Sequence, residues 1–339
     1  MSKKKILFIC GSLNQTSMMH QISQHMQDFD CYFTPYYTDG FINYLVSIGY
    51  IKFSILNGQF RSKTEDYIHK NNLKLDYRGV SNDYDLVYTC ADLIMPKNIR
   101  KKKVILVQEG MTDPETLMFH LVKYLRLPRW LASTSTMGMS NQYTLFCVAS
   151  EGYKDFFISR KGVKPEKIIV TGIPNFDNLQ KFAKSDFPHK NFVLVATSDA
   201  RETYKIENRK KLIKDCVKIA NNRQLIFKLH PNENIERATE EIYQYAPGAL
   251  VFSSGNINQM IANCDALITQ FSTTVYVGIL FGKEVHSAFD IEELKQLMPI
   301  QNNGTSAEKI AEIGKHILGF PQTSLDEIHK KFELSLAKT

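Results

Sequence analysis

The chain is expected to be an α/β protein of two domains, each built on a parallel sheet. Three observations lead there. Its 339 residues exceed the size at which one hydrophobic core stops growing. Short runs that are apolar on both faces alternate with helical stretches, the pattern of strands covered on both sides. That alternation breaks once, around residues 173–190, and then begins again.

The first strand is expected over Lys5–Cys10, a buried run that ends in Gly11-Ser12. The basic start could pass for a signal peptide, but its apolar part is only about five residues long and no small-residue cleavage site follows. A helix is expected near residues 17–26. Further strands are expected at 85–89, 104–107, 143–149 and 167–171. The aromatic-rich stretch 41–72 reads as helices with a mobile connection. Gly172-Ile173-Pro174 and the polar segment around Pro188 mark the boundary. Beyond it come strands at 192–196, 224–229, 249–252 and 266–269. Helices are expected at 207–220, where Leu212, Ile213, Cys216, Val217 and Ile219 share a face, at 257–263 and at 275–281. Two more follow from Ser306. The expected domains are therefore 1–172, a linker at 173–190, and 191–339 with its terminal helices.

Composition excludes several classes. With 43% hydrophobic and 23% charged residues the chain is an ordinary globular one. No apolar stretch is long enough to span a bilayer. The expected place is the cytoplasm, with a peripheral position at the inner face of the membrane left open. Six cysteines, with no CxxC pair and several in strand-like runs, read as reduced core residues. The net charge of +7 lies wholly in residues 1–187, which carry 24 Lys+Arg against 17 Asp+Glu; the remainder balances at 18 against 18. Such an excess suits an anionic polymer or an anionic membrane face. No helix carries a concentrated basic stripe, so no nucleic-acid partner is expected.

In open parallel sheets ligands bind beyond the carboxyl ends of the strands, and the polar residues there are the site candidates. Glu109-Gly110 follows a very apolar strand; the carboxylate reads either as a general base or as a solvated loop acid. Asp113 stands close enough in sequence to substitute. Lys228-Leu229-His230-Pro231-Asn232-Glu233 places a histidine on backbone that Pro231 keeps extended. That histidine either donates a hydrogen bond to a phosphate or nucleotide or is structural, and Glu233 either accepts a ribose hydroxyl or lies in a first helical turn. Ser272, Thr273 and Thr274 stand where a buried helix begins, as an N-cap or as anion donors. Gly11, Gly172, Thr197 and Ser198 complete the strand-end set. No GxGxxG, P-loop, HExxH, GxSxG, EF-hand or DxD element is present. Residues 123–131 mix Lys123, Arg126 and Arg129 with Trp130 and leucines, which reads as a membrane contact or as a helix end with a solvated basic face.

Three of these elements in this order, Glu109-Gly110, His230-Pro231 and Ser272-Thr273, carry a resemblance. The sequence resembles the GT-B glycosyltransferases of bacterial surface polysaccharides, especially the capsular sialyltransferase and Kdo-transferase groups, and is similar to the CDP-glycerol glycerophosphotransferases. The resemblance implies a GT-B fold, two Rossmann-like domains whose parallel sheets face a central cleft. It also implies an acceptor-side first domain, a nucleotide-donor-binding second domain, and catalysis without a metal or other cofactor. Glu109 would be the base, His230 would contact the nucleotide phosphate, and Ser272 and Thr273 would bind that phosphate, with Gly11, Thr197, Ser198, Pro231, Glu233 and Thr274 around the donor. The expected partners are a CMP-, CDP- or UDP-linked donor and an anionic glycan or lipid-linked acceptor. Residues 162–177 are also similar to nonhydrolysing UDP-N-acetylglucosamine 2-epimerases, an alternative that lacks its usual Ser-Asp-Ser-Gly segment here. A non-catalytic carbohydrate-binding or scaffold subunit is the third reading. One departure from the resemblance is Gln108, which stands where many members have a second acid.

Overall fold

The computed structural model describes residues 3–48, 55–56, 58–202, 207–320 and 323–336. They form two compact units, Met1–Asn178 with Pro299–Thr339, and Leu179–Met298.

The first unit alternates strand and helix: β1 (Lys5–Cys10), α1 (Leu13–Gln24), β2 (Asp30–Pro35), α2 (Gly40–Ser47), α3 (Gly58–Lys70), β3 (Leu86–Thr89), β4 (Lys103–Val107), α4 (Leu117–Leu125), β5 (Leu145–Val148), α5 (Glu151–Lys161) and β6 (Ile168–Val170). Its six strands are parallel in the order β2-β1-β3-β4-β5-β6. The central strands are buried on both faces, with β3 and β5 wholly so, which is why they stand out as unbroken apolar runs. Helix α1 starts at Leu13, earlier than expected, because Ser12 caps it by accepting the Gln15 N–H. The expected mobile connection within 41–72 falls on 49–54 and 57, outside the described residues.

The second unit contains β7 (Phe192–Ala196), α6 (Arg209–Ala220), β8 (Gln224–Lys228), α7 (Ile235–Tyr245), β9 (Leu250–Phe252), α8 (Ile257–Asn263), β10 (Ala266–Thr269), α9 (Thr274–Leu280), β11 (Glu284–His286) and α10 (Ile291–Gln296). The sheet order is β11-β10-β7-β8-β9, again parallel. Val193, Val195, Phe227 and Ile268 pack with Ile213 and Cys216 of α6 and Ile242 of α7 in one buried cluster.

In both sheets the strand order reverses beside the first strand, between β1 and β3 in one and between β7 and β10 in the other. Such switch points open a crevice at the carboxyl ends of the strands.

The chain's last helices, α11 (Ser306–Gly319) and α12 (Leu325–Leu336), belong to the first unit. Sequence had grouped 191–339 together. Instead, Ile300 N donates to Ala149 O at 2.9 Å, and Ser306 N to Asp177 Oδ2 at 2.6 Å. Gly314 of α11 lies so close to Tyr88 that a Cβ would come within 1.8 Å of its hydroxyl. Gly172, one of the strand-end candidates, has φ +73 and is packed beneath Asn302 and Ser306, so its glycine serves the return of the chain.

The cysteines lie largely in the core. No disulfide is present among the described residues, and five of the six cysteines are buried. Burial pushes the Cys147 and Cys216 thiols up to about 12.

Candidate functional site

In the first unit, β4 delivers Gln108, Glu109 and Gly110 to the switch-point edge. Gln108 is fully buried. Its amide nitrogen donates to Gly110 O at 2.8 Å, and its amide oxygen accepts the Ala149 N–H at 2.9 Å. An acid here could not serve both partners, because an ionised carboxylate only accepts. That accounts for the amide where the resemblance has a second acid.

Glu109 is half-buried and reaches past the end of β3 to the first turn of α1. Its Oε1 accepts from Ser12 Oγ at 2.9 Å and Asn14 Nδ2 at 3.2 Å, and its Oε2 accepts from Gln15 Nε2 at 2.5 Å. Asn14 is itself held, its Oδ1 accepting from Asn175 Nδ2 at 2.6 Å. Gly11 makes the arrangement possible, since a Cβ there would stand 2.1 Å from Gln15 Oε1. Its role is to admit the Gln15 amide. A carboxylate offers about four acceptor positions; three are taken, and the orientation of the group is thereby fixed. Asp113 is committed locally, accepting from Thr134 Oγ1 at 2.9 Å.

In the second unit, β7, β8 and β10 are neighbours, so the segments after them share one edge of the sheet. His230 follows β8 with its side chain 37% exposed. The Asn232 N–H donates to its Nδ1 at 3.3 Å, so the neutral ring carries its proton on Nε2. Asp199 Oδ2 lies 3.7 Å from Nδ1, and the same oxygen accepts from Asn232 Nδ2 at 3.0 Å. The ring is thus oriented through one nitrogen and presents the other as a donor.

Glu233 and Thr197 do not face outward as expected. Both are buried. Glu233 Oε2 accepts the His230 N–H at 2.9 Å and the Thr197 hydroxyl, while Oε1 accepts Arg209 Nη2 at 2.5 Å. Arg209 continues to Glu207 at 3.0 Å, and Arg201 holds Glu241 through two bonds of 2.8 and 2.7 Å. Burial raises the Glu207 carboxyl above its ordinary range, against the lowering effect of Arg209 and Arg201. A buried charge must be paired, and Arg209 is what turns Glu233 inward. Its place is to anchor the backbone of His230, with Pro231 exposed just beyond.

Ser198 and Thr269 are the hydroxyls left over. The register Ala196↔Thr269 sets them at the ends of adjoining strands, and both Oγ atoms are buried without a hydrogen-bond partner among the described residues. Ser198 was expected at the site; Thr269 was hidden as the last residue of a strand. The hydroxyls of Ser272 and Thr274 face each other, Thr274 Oγ1 donating to Ser272 Oγ at 2.9 Å. Ser272 Oγ also accepts the Thr274 N–H at 3.3 Å, whereas Thr273, at the N-cap position, makes no side-chain cap bond. No group of three or more His, Cys, Asp or Glu able to hold a metal occurs among the described residues.

No protein-family description matches the chain, and no curated protein matches it. Among solved structures it is similar to a Listeria monocytogenes protein provisionally described as a UDP-N-acetylglucosamine 2-epimerase. The TM-score is 0.53 at 14% identity, over 96% of this chain and 98% of the other. It is similar also to the UDP-GlcNAc 2-epimerase of Neisseria meningitidis solved with UDP-GlcNAc, with a TM-score of 0.52 at 13% identity over 99% and 100% of the two chains. Wall teichoic acid polymerase TagF matches at a TM-score of 0.45 and 13% identity over 98% and 90%, a likeness too low to carry weight. At these identities the likeness is one of fold: two Rossmann-like α/β units of the GT-B kind.

Proposed function

We propose that the chain is a metal-independent transferase that moves a sugar or polyol-phosphate group from a nucleotide-activated donor to a hydroxyl of an anionic glycan or lipid-linked acceptor. The observation that carries this reading is the switch point of the second unit. The hydroxyls of Ser198 and Thr269, without a partner among the described residues, stand there on the same sheet edge as His230, whose Nδ1 is engaged and whose Nε2 is left as the ring's donor. Donors grouped at the carboxyl edge of a parallel sheet suit a nucleotide phosphate. Glu109 takes the proton of the acceptor hydroxyl. The acceptor oxygen bonds to the transferred group, and the bond to the nucleotide phosphate breaks. The electron pair leaves with the nucleotide, where His230, Ser198, Thr269 and Thr273 stabilise the charge. A lipid-linked acceptor would place this reaction at the inner face of a membrane.

The UDP-GlcNAc held by the Neisseria protein makes that compound the first donor to try. The test is incubation with CMP-, CDP-, UDP- and GDP-linked donors, with and without a glycan or lipid-linked acceptor. Nucleotide release that depends on acceptor is the expected result. Sugar interconversion or UDP release with no acceptor would instead support a 2-epimerase. Saturable binding without any turnover would leave a carbohydrate-binding subunit.

A further inference from the structure

We infer that α4 and the segment that follows it, residues 117–131, form a docking surface for an anionic lipid bilayer. Helix α4 turns Phe119 and Val122 inward, where they pack with Ala132. Its other side chains have no such cover. Leu117 is 75% exposed, Tyr124 74% and Leu125 63%; Met118, Leu127, Trp130 and Leu131 are also exposed. Of the seventeen large hydrophobic residues exposed among the described residues, seven lie in these fifteen positions. A concentration of that kind marks an interaction site.

Charge decides the partner. Residues 116–133 contain no acid. Lys123 and Arg126 are exposed within the stretch, and Lys123 Nζ donates to Arg160 O at 3.0 Å, which brings a third exposed basic residue to the patch. The nearest acid in sequence, Glu115, is already neutralised by the buried Lys161 at 2.5 Å. Arg129 is not part of the surface. Its Nη2 donates inward to Asp92 O at 2.7 Å and anchors the segment. Leucines beside exposed Trp and Tyr, with Lys123, Arg126 and Arg160 at their border, match the apolar layer, interfacial layer and anionic head groups of a bilayer surface. No described helix is long and apolar enough to cross a membrane, so the contact is with one face of the bilayer.

The surface stands independently of the reaction proposed above, and its test needs no donor. The full chain is sedimented with vesicles of phosphatidylcholine alone and with vesicles that also contain phosphatidylglycerol, at low and moderate salt. Wild type should pellet with the anionic vesicles and less so as salt rises. Leu117→Ser with Leu125→Ser should abolish pelleting. Lys123→Ala with Arg126→Ala should weaken it, roughly fivefold for each charge removed. Val217→Ser, at an exposed apolar position of α6, and Glu109→Gln should pellet like wild type. All targeted positions in α4 are exposed, and a cooperative melt of each variant confirms that it is folded. Failure of wild type to pellet with anionic vesicles would overturn the inference, as would equal pelleting by both double variants. A dimer lost in the apolar double variant, with no vesicle binding by wild type, would assign the patch to a second copy of the chain instead.

Discussion

Glu109 and His230 sit at equivalent places, each just beyond a buried strand, yet they are held in opposite ways. Three side chains grip the Glu109 carboxylate itself; His230 is held by its backbone and by one ring nitrogen. Replacing Glu109 with Gln should lower the transfer rate by about 10²–10⁴-fold, the usual worth of a positioned acid or base. Nucleotide affinity measured by calorimetry should stay unchanged. Asp113→Asn, altering a carboxylate already engaged by Thr134, should change the rate little; a large loss there with near-normal Glu109→Gln would reverse the assignment. His230→Ala should weaken nucleotide binding while the melting temperature holds, since the side chain is partly exposed. Glu233→Gln should act on stability, because an amide cannot accept at both ends as the carboxylate does, while Arg209 keeps its second partner Glu207. A buried hydrogen bond left unmade costs about 1–3 kcal/mol, which the midpoint of urea unfolding would report. The two strand-end residues were legible because an apolar run that stops in a polar residue is a local signal. Ser12, Asn14 and Gln15 were not, being 94 to 97 residues from Glu109. The burial of Glu233 is equally non-local: Arg209, which turns it inward, is 24 residues away.

Among the elements, the strands at the middle of each sheet were plain in sequence, as were the edge strands β6 and β9, whereas the edge strands β2 and β11 were not. β2 is an edge strand whose first three residues are half-exposed and whose last is a proline. Edge positions tolerate both, so the run never becomes uniformly apolar. β11, the outer strand of the other sheet, is three residues long and partly exposed throughout. Helix α11 shows how tightly an element can depend on one missing atom. It covers Tyr88 of β3, whose hydroxyl donates to Ile310 O at 3.3 Å, and Gly314 lets the two surfaces meet. Gly314→Ala should overpack this contact and cost about 3 kcal/mol, the upper part of the usual range. Gly319→Ala in the same helix, where nothing lies within 4 Å of the added methyl, should have almost no effect. Thermal melts of the two variants side by side make the comparison.

At the scale of the molecule, turn residues and a polar stretch place a break near residues 173–190, and the two compact units meet in sequence at Asn178 and Leu179. The return of Pro299–Thr339 to the first unit was not visible. An amphipathic helix declares that it has a buried face, and nothing in its own sequence says which sheet will cover it. The second unit is therefore one continuous segment, whereas the first is made of two. Residues 179–298 expressed alone should fold with a cooperative melt. Residues 1–178 alone should not, because the surface over Tyr88 and Leu86 lacks α11; circular dichroism of both fragments would decide. The same interruption sets an order of events on the ribosome. The segment translated in the middle can finish folding while the one begun first is still waiting for its closing helix. Translation proceeds at about 5–20 residues per second, so that wait lasts on the order of 10 s. For that interval an apolar sheet face lies open in the nascent chain, and a chaperone has a defined place to bind.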